Sequence, residues 1–98
     1  MSCKITEVNI CRIKGEDYKD INVNFTSTGT ISAHSFIVQN NFGTVVKTIN
    51  PVVVGDSVII SGNELESLGV ERYNGFFWVR VNGERRLIFK ALITIKNG

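Results

Sequence analysis

The 98-residue sequence holds one proline, one histidine, one tryptophan and two cysteines, and no apolar run in it approaches the ~18 residues of a membrane span. Each scarcity removes a class of protein. One histidine and two cysteines without Cys-x-x-Cys spacing do not make a structural zinc site. Cys3 and Cys11 lie eight residues apart in what reads as one strand, about 26 Å at ~3.3 Å per residue, so they do not bridge there and are expected as reduced thiols. The N-terminus lacks the basic-then-apolar order of a signal peptide, so the expectation is a cytoplasmic protein without a membrane partner. Catalytic signatures are missing too: there is no Gly-x-Ser-x-Gly, His-Glu-x-x-His, Walker-type loop or close carboxylate pair. Cys11 sits between Ile10 and Arg12 with no activating neighbour, and His34 would meet it only by an accident of folding. The chain is expected not to be an enzyme and to need no cofactor. A net charge of +2 is too mild to imply a polyanionic partner, so any such argument must rest on clustering.

What is present is a hydrophobic content of 43% with 20% charged residues, which describes one ordered domain, residues 1–98, able to bury a core without metal or disulfides. The strongest local signal is Asn82-Gly83 between two runs rich in aromatic and β-branched residues, a β-hairpin with a type I′ turn. A flush register from that turn pairs Val81 with Glu84, Arg80 with Arg85, Val79 with Arg86, Trp78 with Leu87, Phe77 with Ile88 and Phe76 with Phe89. Phe76, Trp78, Leu87, Phe89, Ala91, Ile93 and Ile95 then form the core face, whereas a three-residue bulged loop would slip the register and turn Trp78 outward. Phe77, Val79, Val81, Arg86, Ile88 and Lys90 form the more exposed one.

Further upstream, Lys4 to Lys14 reads as a strand whose spacing of Ile5, Val8, Ile10 and Ile13 suggests a bulge that switches faces. A polar loop over residues 14–20 carries Tyr18. Ile21, Val23 and Phe25 alternate with asparagines and a threonine, a turn follows at Ser27-Thr28-Gly29-Thr30, and Ile31 to Gln39 alternates again. Asn40-Asn41-Phe42-Gly43 is a turn, Thr44 to Ile49 a short strand, and Pro51 a break before Val52-Val53-Val54. Glu64 to Leu68 could make a single helical turn. The class is all-β: a small five- to six-stranded barrel, with a β-sandwich as the alternative.

The order of a long bulged first strand, a hairpin, the segment Gly55-Asp56-Ser57-Val58-Ile59-Ile60-Ser61-Gly62, a polar loop and a closing aromatic hairpin resembles the oligonucleotide-binding (OB) fold of single-stranded DNA-binding proteins. Its eight-residue segment is similar to the glycine-bounded strand before that family's longest DNA-contacting loop. The family's helix between the third and fourth strands has no counterpart here, which is closer to the compact phage, plasmid and primosomal members, and the acidic C-terminal tail is absent. The resemblance implies single-stranded DNA binding in replication or recombination, favoured over RNA, by a homodimer. Such binders combine cations for phosphates with aromatic faces for bases. Candidates for stacking are Tyr18, Phe36, Phe42, Tyr73 and Phe77, and for phosphates Lys47, Arg72, Arg80, Arg85, Arg86 and Lys90. Competing readings stand beside them: Phe36 as core, Tyr18 and Phe42 as plain turn residues, the arginines as a solubilising hairpin tip. The homodimer expectation rests on Phe77, Val79, Val81 and Ile88 as exposed apolar surface. The other function class is a non-enzymatic β-barrel or sandwich module for protein interaction or virion assembly, with that same face as its interface.

Overall fold

Among the described residues, alternating apolar residues bounded by turn signals give eight strands and one short helix: β1 (Thr6–Ile13), β2 (Ile21–Asn24), β3 (Ile31–Gln39), β4 (Val45–Ile49), β5 (Val52–Val54), β6 (Ser57–Ile60), α1 (Gly62–Glu66), β7 (Arg72–Val81) and β8 (Glu84–Lys96). The computed structural model describes residues 6–25 and 31–97, so Cys3 and the expected turn at Ser27-Thr28-Gly29-Thr30 lie outside the described residues. The all-β class is as expected, and the architecture is the sandwich. A five-stranded sheet in the order β1-β8-β7-β3-β4 is separate from a three-stranded sheet in the order β2-β6-β5. A closed barrel would need these strands to continue around one sheet, and they do not. The sheets meet through aromatic contact: the Phe25 ring, just after β2, packs edge-on against Phe77 of β7 at 5.7 Å between centroids.

The closing hairpin forms at the Asn82-Gly83 turn, with φ of 51° and 84° at these residues, the positive values that a type I′ turn requires. The expected pairs hold from Val81 opposite Glu84 to Trp78 opposite Leu87, and then a β-bulge shifts the register so that Phe77 faces Phe89 and Phe76 faces Lys90. Ile88 is the extra residue. This overturns the expected core face, because a one-residue shift moves a strand's side chains to the other side. Phe77, Val79 and Val81 are buried with Phe89, Ala91, Ile93 and Ile95, while Phe76, Trp78 and Leu87 are half-buried on the outer face. The bulge puts the Phe77 and Phe89 rings 5.2 Å apart, and Phe36 joins them 6.0 Å from Phe89. Burial of each ring is worth about 1.5–3 kcal/mol. Gly75 makes room for Phe36: a Cβ there would stand 2.2 Å from the tip of its ring.

Two further expectations change. β1 keeps one register with β8 from Thr6 opposite Phe89 to Ile13 opposite Lys96, and the pairing is parallel. The face switch therefore does not occur: Ile10 points inward and buried, and Ile13, on the other face, is 38% exposed. The single helical turn forms two residues earlier than expected, at Gly62–Glu66, held by the 14–20 loop. Asp20 Oδ1 accepts the Gly62 N–H at 2.9 Å, and Lys14 Nζ donates to the carbonyls of Glu66 at 2.8 Å and Leu68 at 2.9 Å. Both helix ends are thus satisfied from a neighbouring loop, and Leu65 and Leu68 reach the core.

The bulge makes a measurable claim about the hairpin. Phe77→Ala is expected to cost about 3–5 kcal/mol in urea unfolding and Trp78→Ala distinctly less, since only Phe77 leaves a core cavity; the opposite ranking would show a flush register. Gly75→Ala is expected to cost about 1–3 kcal/mol by overpacking the fully buried Phe36 ring.

Candidate functional site

The residues singled out for nucleic-acid binding scatter in the fold. Phe36 and Phe77 are completely buried, and Tyr18 and Tyr73 are 6% exposed, so none of these four presents a face on which a base could stack. Their physical role is the core that a small sandwich needs. The Tyr18 hydroxyl is buried with no hydrogen-bond partner among the described residues, whereas Tyr73 donates its hydroxyl to the Gly69 carbonyl at 2.9 Å. Phe42 alone of the five stacking candidates is open, 89% exposed at the tip of the β3–β4 hairpin. Asn40 Oδ1 holds that tip by accepting the Phe42 and Thr44 N–H groups at 2.9 and 3.0 Å.

The cations divide likewise. Lys47 is engaged by Glu64 at 3.1 Å and donates to Ser67 Oγ at 2.8 Å, which ties β4 to the helical segment. Arg86 is paired with Glu84 at 3.0 Å. Arg72 begins β7 and Arg80 lies eight residues along it, about 26 Å away at the rise of an extended strand. Lys90 lies 5.9 Å from the Phe76 ring. What the hairpin does bring together is Arg80 opposite Arg85, with the Arg85 guanidinium 4.1 Å above the Trp78 ring. Cys11 and His34 do not meet: Cys11 is exposed on β1, and β8 and β7 separate it from β3. The two strands are about 14 Å apart at the usual strand spacing, and the register sets Cys11 level with Arg72 and His34 level with Val79 along β7. Among the described residues no group of three or more His, Cys, Asp or Glu is placed to hold a metal ion.

A different surface stands out. β4 and β5 are each the last strand of their sheet, and the chain passes from one to the other through Asn50 and a buried Pro51, so they share one margin of the sandwich. On it Val45 is 52% exposed, Val46 44%, Val52 58% and Val54 62%. The two adjacent valines of β4 are both outside because a bulge pairs Val38 with Lys47 and Gln39 with Val45, leaving Val46 as the extra residue. The opposite margin differs: β1 shows Glu7, Asn9 and Arg12 along its length, and β2 shows Asn22 and Asn24. Charged side chains and asparagines of that kind keep an edge from pairing with another chain, and along β4 and β5 the one charge is the engaged Lys47, with Thr48 the one other polar side chain.

No family model matches the sequence, and no curated protein matches it. Among solved structures the fold has a counterpart. It is similar to CopC from Methylosinus trichosporium OB3b. The two agree with a TM-score of 0.56 at 16% sequence identity, over 95% of this chain and 84% of CopC. At that identity the likeness concerns the fold.

The OB-family resemblance is corrected by these findings. The shared element order hides a different closure: two separate sheets with a parallel β1–β8 pair, in a fold shared with CopC. The segment Gly55 to Gly62, which carried the resemblance, is the β5–β6 turn followed by the central strand of the smaller sheet, with Val58 and Ile60 fully buried. With four of the five stacking candidates in the core and the cations other than Arg80 and Arg85 dispersed or paired, single-stranded DNA binding, its role in replication or recombination and the phage-type assignment are withdrawn. The homodimer expectation goes with them, because Phe77, Val79 and Val81 are core and not surface.

Sequence reasoning passed over the valine margin because Val45-Val46 and Val52-Val53-Val54 are continuous apolar runs, which read as buried strands. The available signal was Pro51 between two short β-branched runs, since proline in sheets keeps to edges and strand ends.

Burial raises the Tyr73 hydroxyl above the ordinary phenol value, Glu71 nearby adds to the effect, and the bond to Gly69 opposes it. The folded state then favours the neutral phenol. This contribution to stability is present below the unfolded value of about 10 and is lost as pH rises through the higher folded one. Urea midpoints measured from pH 8 to 12 are expected to fall less steeply above pH 10 in Tyr73→Phe than in wild type; parallel curves would show that Tyr73 ionises normally.

Proposed function

We propose that this protein is a non-enzymatic β-sandwich interaction module that engages a partner protein through its β4–β5 margin. The observation that carries the reading is the contrast between margins. Four exposed valines line the two edge strands on one side, while the edges on the other side carry polar and charged groups. An edge strand offers unpaired backbone N–H and C=O groups, and exposed β-branched residues favour their pairing with another strand. Phe42 extends the apolar surface beyond the β3–β4 turn. The side-chain chemistry supports binding over catalysis, since the Lys47, Arg86 and Tyr73 polar groups are spent on structural contacts.

The test is site-specific photo-crosslinking in cells that make the protein. A photoreactive residue at Val46 or Val54 is expected to give an adduct of one discrete mass, identified by mass spectrometry, and one at Asn22 is expected to give none. The double variant Val46→Lys, Val54→Lys should abolish the adduct formed from a probe at Phe42. It should leave stability within about ±0.5 kcal/mol, as exposed positions do. Equal labelling at Asn22, or no adduct at the margin, would remove the reading.

A further inference from the structure

β4 covers only part of β3. It pairs with Phe36 through Gln39, whereas β3 begins at Ile31 and pairs with β7 from its first residue. Beyond Ile49 the chain leaves for the other sheet, so the edge of Ile31–Ser35 facing away from β7 has no strand beside it among the described residues. This uncovered half-edge borders a hollow of about 210 Å³ lined by Ala33, Ser35, Trp78, Arg80 and Arg85 together with His34 and Val79. The register explains it. Across the outer face one row runs from Ala33 to Arg80 to Arg85, and the next from Ser35 to Trp78 to Leu87. Two small side chains next to the open edge leave the arginines and the indole accessible from that side.

The charges are unbalanced in the same place. Arg80 and Arg85 face each other across the hairpin, a like-charge pair that is unfavourable by itself. The nearby carboxylate does not relieve it, because Glu84 is bound by Arg86 at 3.0 Å. Arg80 gives one N–H to the Gly83 carbonyl at 2.9 Å. Arg85 lies on the Trp78 ring at 4.1 Å, and a guanidinium packed by its face keeps its N–H edge free for a bidentate carboxylate.

We propose that the half-edge Ile31–Ser35 accepts an extended, acidic segment of the partner protein as an added strand, one of whose carboxylates crosses Ala33 to bind Arg85 and Arg80. The proposal rests on the interaction-module reading and gives its partner a chemistry. Backbone pairing supplies sequence-independent affinity, and the arginines select an acidic residue at one register position. The carboxylate must span about two strand spacings from the added backbone to β7, some 10 Å, which the combined lengths of a glutamate and an arginine side chain cover.

The experiment uses fluorescein-labelled nonapeptides of alternating valine and glutamate, and of alternating valine and glutamine, with the full chain. Anisotropy is expected to show the glutamate peptide binding at least about tenfold tighter, a 1.4 kcal/mol preference, with the preference weakening as salt is raised. Arg85→Ala should abolish it, and Arg85→Lys should restore it only in part. Ala33→Glu, which places a carboxylate of the chain itself beside Arg80, should also abolish it. On binding, the emission of the single tryptophan should change and amide exchange at Ala33, His34 and Ser35 should slow. Equal affinity for the two peptides, a preference that survives both Arg85→Ala and Ala33→Glu, or exchange protection confined to β4 would overturn the proposal. So would Arg85-dependent binding of oligo-dT without binding of the acidic peptide. Margin crosslinks at Val46 and Val54 that persist when the peptide fails would leave the interaction module standing and remove only this site.

Discussion

The extra residue Ile88 in β8 is the constraint on which most of the molecule depends. β7 carries one uncharged alternating set, Tyr73, Gly75, Phe77, Val79 and Val81, and β8 carries another, Phe89, Ala91, Ile93 and Ile95, and both are buried. From the Asn82-Gly83 turn these two sets have opposite phase, and only one inserted residue lets both enter the same core. The bulge supplies it between Trp78 opposite Leu87 and Phe77 opposite Phe89. An extra ring contact worth about 0.5–1.5 kcal/mol accompanies it, but the larger consequence is the exclusion of Trp78, Arg80 and Arg85 from the core. The outer face exists because the inner one is consistent.

Much of the fold was legible, and the reasons are local. Strand alternation at Ile21, Val23 and Phe25, the Asn-Gly turn and the Asn40–Gly43 turn depend on a few neighbouring residues, and each formed where expected. Facing could not be read from the turn alone, since a bulge is selected by the fit of the whole core. The uncharged set on β7 was available as a clue: the rival set, Phe76, Trp78 and Arg80, includes an arginine. The parallel pairing of β1 with β8 brings together strands from opposite ends of the chain, and no periodicity of a single segment reports such a partner.

The functional reading misled for a related reason. In a small all-β chain, aromatics and cations at strand and loop positions satisfy both a nucleic-acid groove and an ordinary core with a solvated rim. Burial decides between these, and it placed Phe36, Phe77, Tyr18 and Tyr73 on the side of the core. Element order was equally ambiguous, because a barrel and a sandwich differ in which strands pair and not in the succession of strands and turns. The Gly55–Gly62 segment shows this directly: a glycine-bounded strand with alternating apolar residues serves as the centre of a three-stranded sheet as well as it would serve a barrel wall.

The crossing at Asn50-Pro51 ties the surface to the topology. Proline lacks the N–H that a continuing ladder would need, and here β4 ends at Ile49 and β5 begins in the other sheet. That single departure makes both β4 and β5 edge strands, and it stops β4 short of the first half of β3. An edge left by topology is ordinarily guarded by charge, by proline or by a covering loop. On β1 and β2 the guard is polar side chains. Along β4 the one lysine turns toward Glu64, and along β5 there is no charge at all. Beside the half-edge of β3 the nearest charges are Arg85, held on an indole, and Arg80, bonded to the Gly83 carbonyl. Among the described residues the chain guards two of its four sheet edges and leaves valines on the other two, an asymmetry that folding alone does not require, since exposed valines add nothing to its own core. On the reading proposed above, a second polypeptide at that margin accounts for it.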